Sequence, residues 1–132
     1  MSESPALEVE HLAVEYPPRR WRGAPARVIE DVSFTVGRGE TVAVVGESGS
    51  GKTTIGRAVL GLVRATGGTI RINGEDITHL SPRARRPLAA DLQAIFQNPY
   101  GSLDPALTIG ATLAEPLRAG GVPRAEVAAR IA

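Results

Sequence analysis

The stretch Gly46-Glu47-Ser48-Gly49-Ser50-Gly51-Lys52-Thr53-Thr54 fits G-x-x-x-x-G-K-[ST], the pattern of a loop that wraps phosphate groups. Its flanks are those the pattern requires. Residues 40–45 (ETVAVV) form a short, nearly continuous apolar run and predict a strand buried on both faces. Residues 52–63 carry Ile55, Ala58, Val59 and Leu62 at helical spacing without a proline, and predict a helix. Glycines at 46, 49 and 51 let the backbone curl so that the amide N–H groups of Gly46, Glu47, Ser48, Gly49, Ser50 and Gly51 point inward. The loop opens into a helix N-terminus, with its partial positive charge and unpaired donors. Lys52 adds a compact cation for the β- and γ-phosphates. Thr53 offers a hydroxyl oxygen to Mg²⁺, and Thr54 can donate to a more distal phosphate oxygen. A glycine-rich turn can match such a pattern by accident, but Lys52 is the only lysine in a chain whose other basic side chains are all arginine.

The bulk properties exclude several classes. The chain has 132 residues, a single-domain length, and a net charge of +1, which gives no general attraction to nucleic acid. Arginines cluster at Arg19, Arg20 and Arg22 around Trp21, and at Arg83, Arg85 and Arg86; solvated loops account for both groups, and a polyanion or lipid-headgroup patch is the alternative. The absence of cysteine removes disulfides and thiolate metal sites and fits a cytosolic protein. The N-terminus, MSESPALEVE, is not patterned as a signal peptide, and no apolar run approaches the ~18 residues of a membrane span.

Along the chain, Leu7 and Val9, then Leu12, Val14 and Tyr16, alternate with a phase break near His11, which predicts one bent strand or two short ones. A Pro/Arg/Gly-rich loop runs to about Arg27, and Val32, Phe34 and Val36 alternate again. Gly67-Gly68 leads into a strand over 69–72, closed by Asn73-Gly74. Ser81-Pro82 starts a short helix that Pro87 interrupts, and 92–96 is a second apolar run and expected strand ending at Gln97. A turn-rich loop covers 98–105, Thr108 caps a helix from Ile109 that Pro116 kinks and Gly120-Gly121 stops, and Pro123 begins another.

With these residues in view, the chain resembles the ATPase subunit of an ATP-binding cassette (ABC) transporter, in its dipeptide/oligopeptide/nickel importer branch. The resemblance runs from about Leu7 onward, on VGESGSGKTTIGRAVLGL, GGTIRINGEDIT, IFQNPYGSLDP and TIGATLAEPLRAGG. It implies an α/β fold of the P-loop NTPase type: an N-terminal antiparallel β region, an incomplete parallel core sheet and the start of a helical subdomain. The corresponding segments are 6–45 (β region and strand before the loop), 46–63 (loop and helix), 64–97 (hairpin to the glutamine strand) and 98–132 (start of the helical subdomain). The resemblance implies ATP and Mg²⁺ as ligands, with Lys52 and Gln97 in catalytic roles, Thr53 and Gln97 toward the metal, and Tyr16 stacking on adenine. Tyr16 is otherwise a strand-end core residue, with Trp21 the rival for stacking, and Gln97 is otherwise a polar strand end. Tyr100 and Leu103 match the segment that faces the membrane subunits in the family, and are otherwise loop anchors. His11 and His79 match no family histidine, and Asp31, Asp76 and Asp104 have no claim to be the catalytic carboxylate.

The resemblance further implies membrane-spanning permease subunits, a second ABC ATPase subunit (identical or different) and, indirectly, a solute-binding protein as partners, with no nucleic acid. It places the subunit peripherally on the cytoplasmic face of the cell membrane. The 132 residues contain no LSGGQ-type signature, no apolar strand ending in Asp-Glu and no switch histidine, so the chain is expected to be the N-terminal portion of a cassette, with unpaired sheet edges and without turnover of its own. The alternatives are a non-catalytic nucleotide-binding fragment and another phosphate-loop enzyme such as a small-molecule kinase. The strands expected before the loop and the QNPYGSLDP segment count against a kinase.

Overall fold

The computed structural model describes residues 4–18 and 23–132, which fall into two compact units, one up to Ser81 and one from Pro82 onward. Trp21, with the first arginine cluster around it, lies outside the described residues.

The first unit is built on an antiparallel sheet of order β2-β1-β3-β4, comprising β1 (Leu7–Tyr16), β2 (Ala26–Val36), β3 (Gly67–Ile72) and β4 (Glu75–Asp76). The phase break predicted near His11 is a β-bulge in one continuous strand. The register of β1 slips between Val9 and Leu12 against β2 and between Glu10 and Ala13 against β3, and His11 takes a positive φ of 48°. The extra residue returns Leu12 and Val14 to the face that Val9 buries, so all three belong to the core with Ile29, Ile70, Ile72 and Ile77. Gly68 is shaped to this bulge. It has φ 81°, and a Cβ added there would stand 2.3 Å from the His11 carbonyl oxygen. The His11 N–H donates to Ser33 Oγ at 2.8 Å, which ties the bulge to β2.

Asn73-Gly74, both at positive φ, make the two-residue turn between β3 and β4. Beyond β4 a side chain extends the pairing: Thr78 Oγ1 accepts the Ile70 N–H at 2.8 Å and donates to Asp76 Oδ1 at 2.6 Å, which also accepts the Thr78 N–H. On the solvent face Arg71 bridges Glu8 (3.0 Å) and Glu10 (2.6 Å) of β1. Strand β2 begins at Ala26, so it takes in Val28 and Ile29, which precede the alternation that predicts it.

Helix α1 (Lys52–Val59) turns Thr54, Ile55, Ala58 and Val59 inward and contacts β2. It stops four residues short of Val63 because Gly61 adopts φ 74°. The N–H groups of Gly61 and Leu62 then close back onto the carbonyls of Ala58 and Arg57, a Schellman ending that spacing of apolar residues does not reveal.

The two apolar runs expected to be core strands are not strands. Residues 40–45 and 92–96 belong to no ladder, and Val45 and Ile95 are 88% and 102% exposed. A run apolar on both faces becomes a strand only between neighbours that accept its N–H and C=O groups. Among the described residues none pairs with either run, so the parallel core sheet does not form while the antiparallel region does.

In the second unit, Pro87 lies in the first turn of a 3₁₀ helix (Arg86–Ala90) and does not break a helix begun at Pro82. A first-turn position costs proline no hydrogen bond. A second 3₁₀ turn spans Pro99–Ser102, and Asp104 Oδ1 accepts the Ala106 N–H at 2.9 Å. Helix α2 (Ile109–Ala119) is capped by Thr108, whose hydroxyl accepts the Ala111 N–H at 3.2 Å, and contains Pro116. It ends in a second Schellman closure at Gly121, before α3 (Arg124–Ile131). Ala114 and Val127 are the buried residues of this helix pair.

Gly68→Ala is expected to lower the unfolding free energy by more than ~1 kcal/mol, measured by urea denaturation, because it adds both backbone strain and a clash. Thr78→Val leaves the Ile70 N–H without its acceptor and should cost about 1–3 kcal/mol in the same measurement, with Thr78→Ser losing less. Asp76 adds a pH dependence. The Thr78 hydroxyl first, then the Thr78 N–H and the charges of Arg71 and His79, hold its carboxyl below the usual range against the opposing effect of burial. A depressed folded pKa stabilises above the unfolded value of about 3.9, and that contribution fades as pH falls through the folded value. Asp76→Asn should therefore be less stable than the unvaried chain at neutral pH, with the gap narrowing below about pH 4 in denaturation curves taken across pH.

Candidate phosphate-binding site

Nine of the residues assigned from sequence form one local structure. The chain leaves Val45, turns at Ser48-Gly49, with Gly49 at φ 83°, and reaches Gly51 at φ 91°, ψ 1°. Gly51 is the N-cap of α1 and provides no side-chain cap. The first backbone bond of the helix runs from the Ile55 N–H to the Gly51 carbonyl, at 3.0 Å. The amides of the first turn before Ile55 have no carbonyl behind them to bond, as at any helix start, so they remain available to an anion.

Two contacts fix this geometry. A Cβ at Gly51 would lie 2.5 Å from Ile29 Cδ1 and 3.1 Å from the Val28 carbonyl oxygen, so the loop rests on β2 at a point where only glycine fits. The Lys52 side chain folds back over the loop, and its ammonium donates to the carbonyl of Gly46 at 2.7 Å, to that of Glu47, and to Ser50 Oγ at 3.2 Å. The Ser50 N–H donates to the same Glu47 carbonyl at 3.2 Å, closing the turn. The cation therefore lies across the loop that its own residue terminates.

Thr53 and Thr54 differ in exposure. Thr53 is exposed at the first turn of α1, whereas Thr54 is 8% exposed and sits on the helix's buried face with Ile55 and Ala58. Among the described residues no group of three His, Cys, Asp or Glu side chains could hold a metal ion. A divalent cation at this loop would thus depend on Thr53 and on oxygens brought by the ligand. The donor set suits a magnesium-bound polyphosphate: unused helix-start amides, one ammonium and the hydroxyls of exposed Ser48, Ser50 and Thr53.

The remaining assigned residues lie elsewhere. Tyr16 is the last residue of β1, paired with Ala26 of β2 and half-buried. Gln97 is exposed and belongs to the second unit, just before the Pro99–Ser102 turn. Tyr100 and Leu103 are 91% and 60% exposed. His11, on the bulge, pairs through Nδ1 with Asp31 at 3.0 Å. Sequence reasoning missed Val28 and Ile29 as the seat of Gly51. The adjacent β-branched pair was the available signal, and the neighbouring loop composition obscured it.

Comparison with known proteins follows the same lines. A putative peptide import ATP-binding protein of Brucella ovis is 47% identical over 122 residues, covering 92% of this chain and 38% of its own length. A glutathione import ATP-binding protein of Escherichia coli K12 is 48% identical over 135 residues, covering 97% of this chain and 21% of that protein. The chain therefore spans well under half of these relatives. Among solved structures, an ATP-binding subunit of an ABC transporter aligns with a TM-score of 0.68 at 33% identity, over 92% of this chain and 45% of the other. A dimeric ATP-binding cassette in a post-hydrolysis state, bound to ADP and Pi, aligns with a TM-score of 0.70 at 21% identity, over 89% of this chain and 48% of the other, a likeness of fold. Residues 29–131, from the strand residue under the phosphate loop to the last helix, match the family described as ABC transporter, and the chain belongs to that family.

Proposed function

We propose that this chain is the phosphate-loop part of an ATP-binding subunit that energises an ABC importer of peptides or related solutes. The observation that carries this is the Lys52 ammonium drawn over a glycine-kinked loop that opens directly into α1. Magnesium-bound ATP would supply a phosphoanhydride whose hydrolysis drives transport. Gly46, Glu47, Ser48, Gly49 and Gly51 present main-chain amides to its phosphates, whereas the Ser50 N–H, expected to join them, is bonded to the Glu47 carbonyl; Lys52 neutralises the β- and γ-phosphates, and Thr53 gives its hydroxyl to Mg²⁺. Thr54 anchors the helix start from its buried side, with its hydroxyl directed to a distal phosphate oxygen in the family. Gln97 orients the attacking water and contacts Mg²⁺ as a neutral amide, and Tyr16 stacks on adenine.

The import ATP-binding names of the relatives support the solute class, and the family supports the rest. Partners are membrane-spanning permease subunits, a second ABC ATPase subunit and, indirectly, a solute-binding protein, which puts the working location at the cytoplasmic face of the membrane. Among the described residues no helix is long and apolar enough to cross a membrane. The 132-residue chain by itself binds nucleotide without turning it over. The exposed, unpaired runs at 40–45 and 92–96 favour this, because the sheet that would order the catalytic groups is incomplete.

Titration of the chain with a fluorescent ATP analogue and Mg²⁺ should show saturable binding without multiple turnover. Lys52→Ala should weaken that binding by about tenfold or more, the loss of a charge-assisted contact, while leaving the unfolding transition in place. In the complete subunit the same substitution should abolish ATP hydrolysis and solute uptake. Near-normal hydrolysis there refutes the role of Lys52, and phosphoryl transfer to a small acceptor instead of phosphate release points to a kinase.

A further inference from the structure

Away from the phosphate loop, the turn between β3 and β4 sets a reactive pair of residues against a cation. Asn73 and Gly74 are both exposed, at φ 51° and 84°. The Asn73 N–H donates to the Ala6 carbonyl at 3.1 Å, which fixes the turn against the chain entering β1. Its side-chain Oδ1 accepts from Arg38 Nη2 at 3.0 Å. Arg38 is itself held just past the end of β2 by a closed turn. There the Glu40 N–H donates to the Gly37 carbonyl at 3.2 Å, and the Gly37 N–H donates to Glu40 Oε2 at 2.6 Å. Among the described residues nothing accepts from the Gly74 N–H or from Asn73 Nδ2. The main-chain nitrogen that follows Asn73 is therefore open to solvent base, and glycine puts no Cβ beside it.

We propose that Asn73 is a self-modification site, where the Gly74 nitrogen displaces the side-chain amide and Arg38 stabilises the charge that develops on Oδ1. The Gly74 nitrogen gives its proton to solvent and bonds to Asn73 Cγ; the Cγ–Nδ2 bond then breaks, and Nδ2 leaves as ammonia. Negative charge gathers on Oδ1 as the new bond forms, and the guanidinium is already in hydrogen-bond contact with that atom. Water opens the resulting cyclic imide. Cleavage between the nitrogen and Cγ leaves aspartate at 73 with the main chain unaltered, whereas cleavage at the main-chain carbonyl leaves a β-linked aspartate. The net change takes an amide and water to a carboxylate and ammonium, with no oxidant or cofactor. The aspartate product keeps Arg38 as an ion-pair partner. The β-linked product lengthens a two-residue turn by one main-chain methylene, which disturbs the Ile72–Glu75 pairing of β3 with β4. None of residues 46–54 takes part, so the site stands whatever the phosphate loop binds.

The test incubates the 132-residue chain and its Arg38→Ala and Arg38→Lys variants at mildly alkaline pH, folded in buffer or unfolded in urea. Peptide mapping by mass spectrometry follows the loss of the Asn73 amide. In the folded chain Asn73 should convert to both products. Arg38→Ala should slow that conversion about three- to tenfold, the loss of a charge-assisted contact to the developing oxyanion, and Arg38→Lys should recover part of the rate. In urea, where the contact is absent, all three chains should convert at one rate. An Asn73 that stays intact in the folded chain, a folded Arg38→Ala rate equal to or above that of the unvaried chain, or the same slowing in urea overturns the proposal.

Discussion

The contact between Gly51 and Ile29 joins the three parts of the first unit. Gly51 closes the loop, caps α1 and rests on β2, and it does all three because it has no Cβ. A side chain there would need both a left-handed backbone and the volume that Ile29 Cδ1 occupies. Ile29 is 3% exposed, so the loop is referenced to the sheet's interior and not to its surface. The direction of α1, and hence the direction in which its first amides face, follows from this seat. So does the reach of Lys52, whose stem starts one residue further on and doubles back across the loop.

What the sequence disclosed divides by the range of the interactions involved. The bulge at His11, the Asn73-Gly74 turn, the Thr108 cap and the stop after Gly120 are local, and each is written in two or three consecutive residues. The phosphate loop is local too, which is why all of Gly46 to Thr54 could be assigned from spacing. Residues 40–45 and 92–96 show the opposite case. Their composition describes the environment they suit, two covered faces and two bonded edges, and composition cannot state whether those neighbours are at hand. Gly61 lies between these cases. It fits a helix by position and ends one by conformation, and the apolar spacing that continues to Leu62 conceals it. Ile29 was hidden by the proline- and arginine-rich segment before it. No spacing rule states that a side chain will sit beneath a glycine more than twenty residues away.

The residues proposed to serve nucleotide differ in how local they are to one another. The proposed phosphate grip is local, since its amides, ammonium and hydroxyl come from nine consecutive residues. The other assigned groups, Tyr16 and Gln97, come from a strand end in the first unit and an exposed bend in the second. The loop is set by backbone geometry and short contacts, whereas Tyr16 and Gln97 take their places from the ends of longer segments.

The strand order β2-β1-β3-β4 bears on how such a chain is made. Strand β1 emerges first from the ribosome and meets β2 within the next twenty residues, but its other edge waits for β3, some fifty residues behind. The phosphate loop and α1 lie in that interval. They are synthesised while the sheet's central strand is paired on one side only, with the N–H and C=O groups of that edge bonded to water. The arrival of Gly67-Gly68 against the bulge completes the pairing and closes a loop of chain, held by hydrogen bonds, with residues 46–54 inside it. Docking of β3 therefore carries the loop-closure entropy of this pairing.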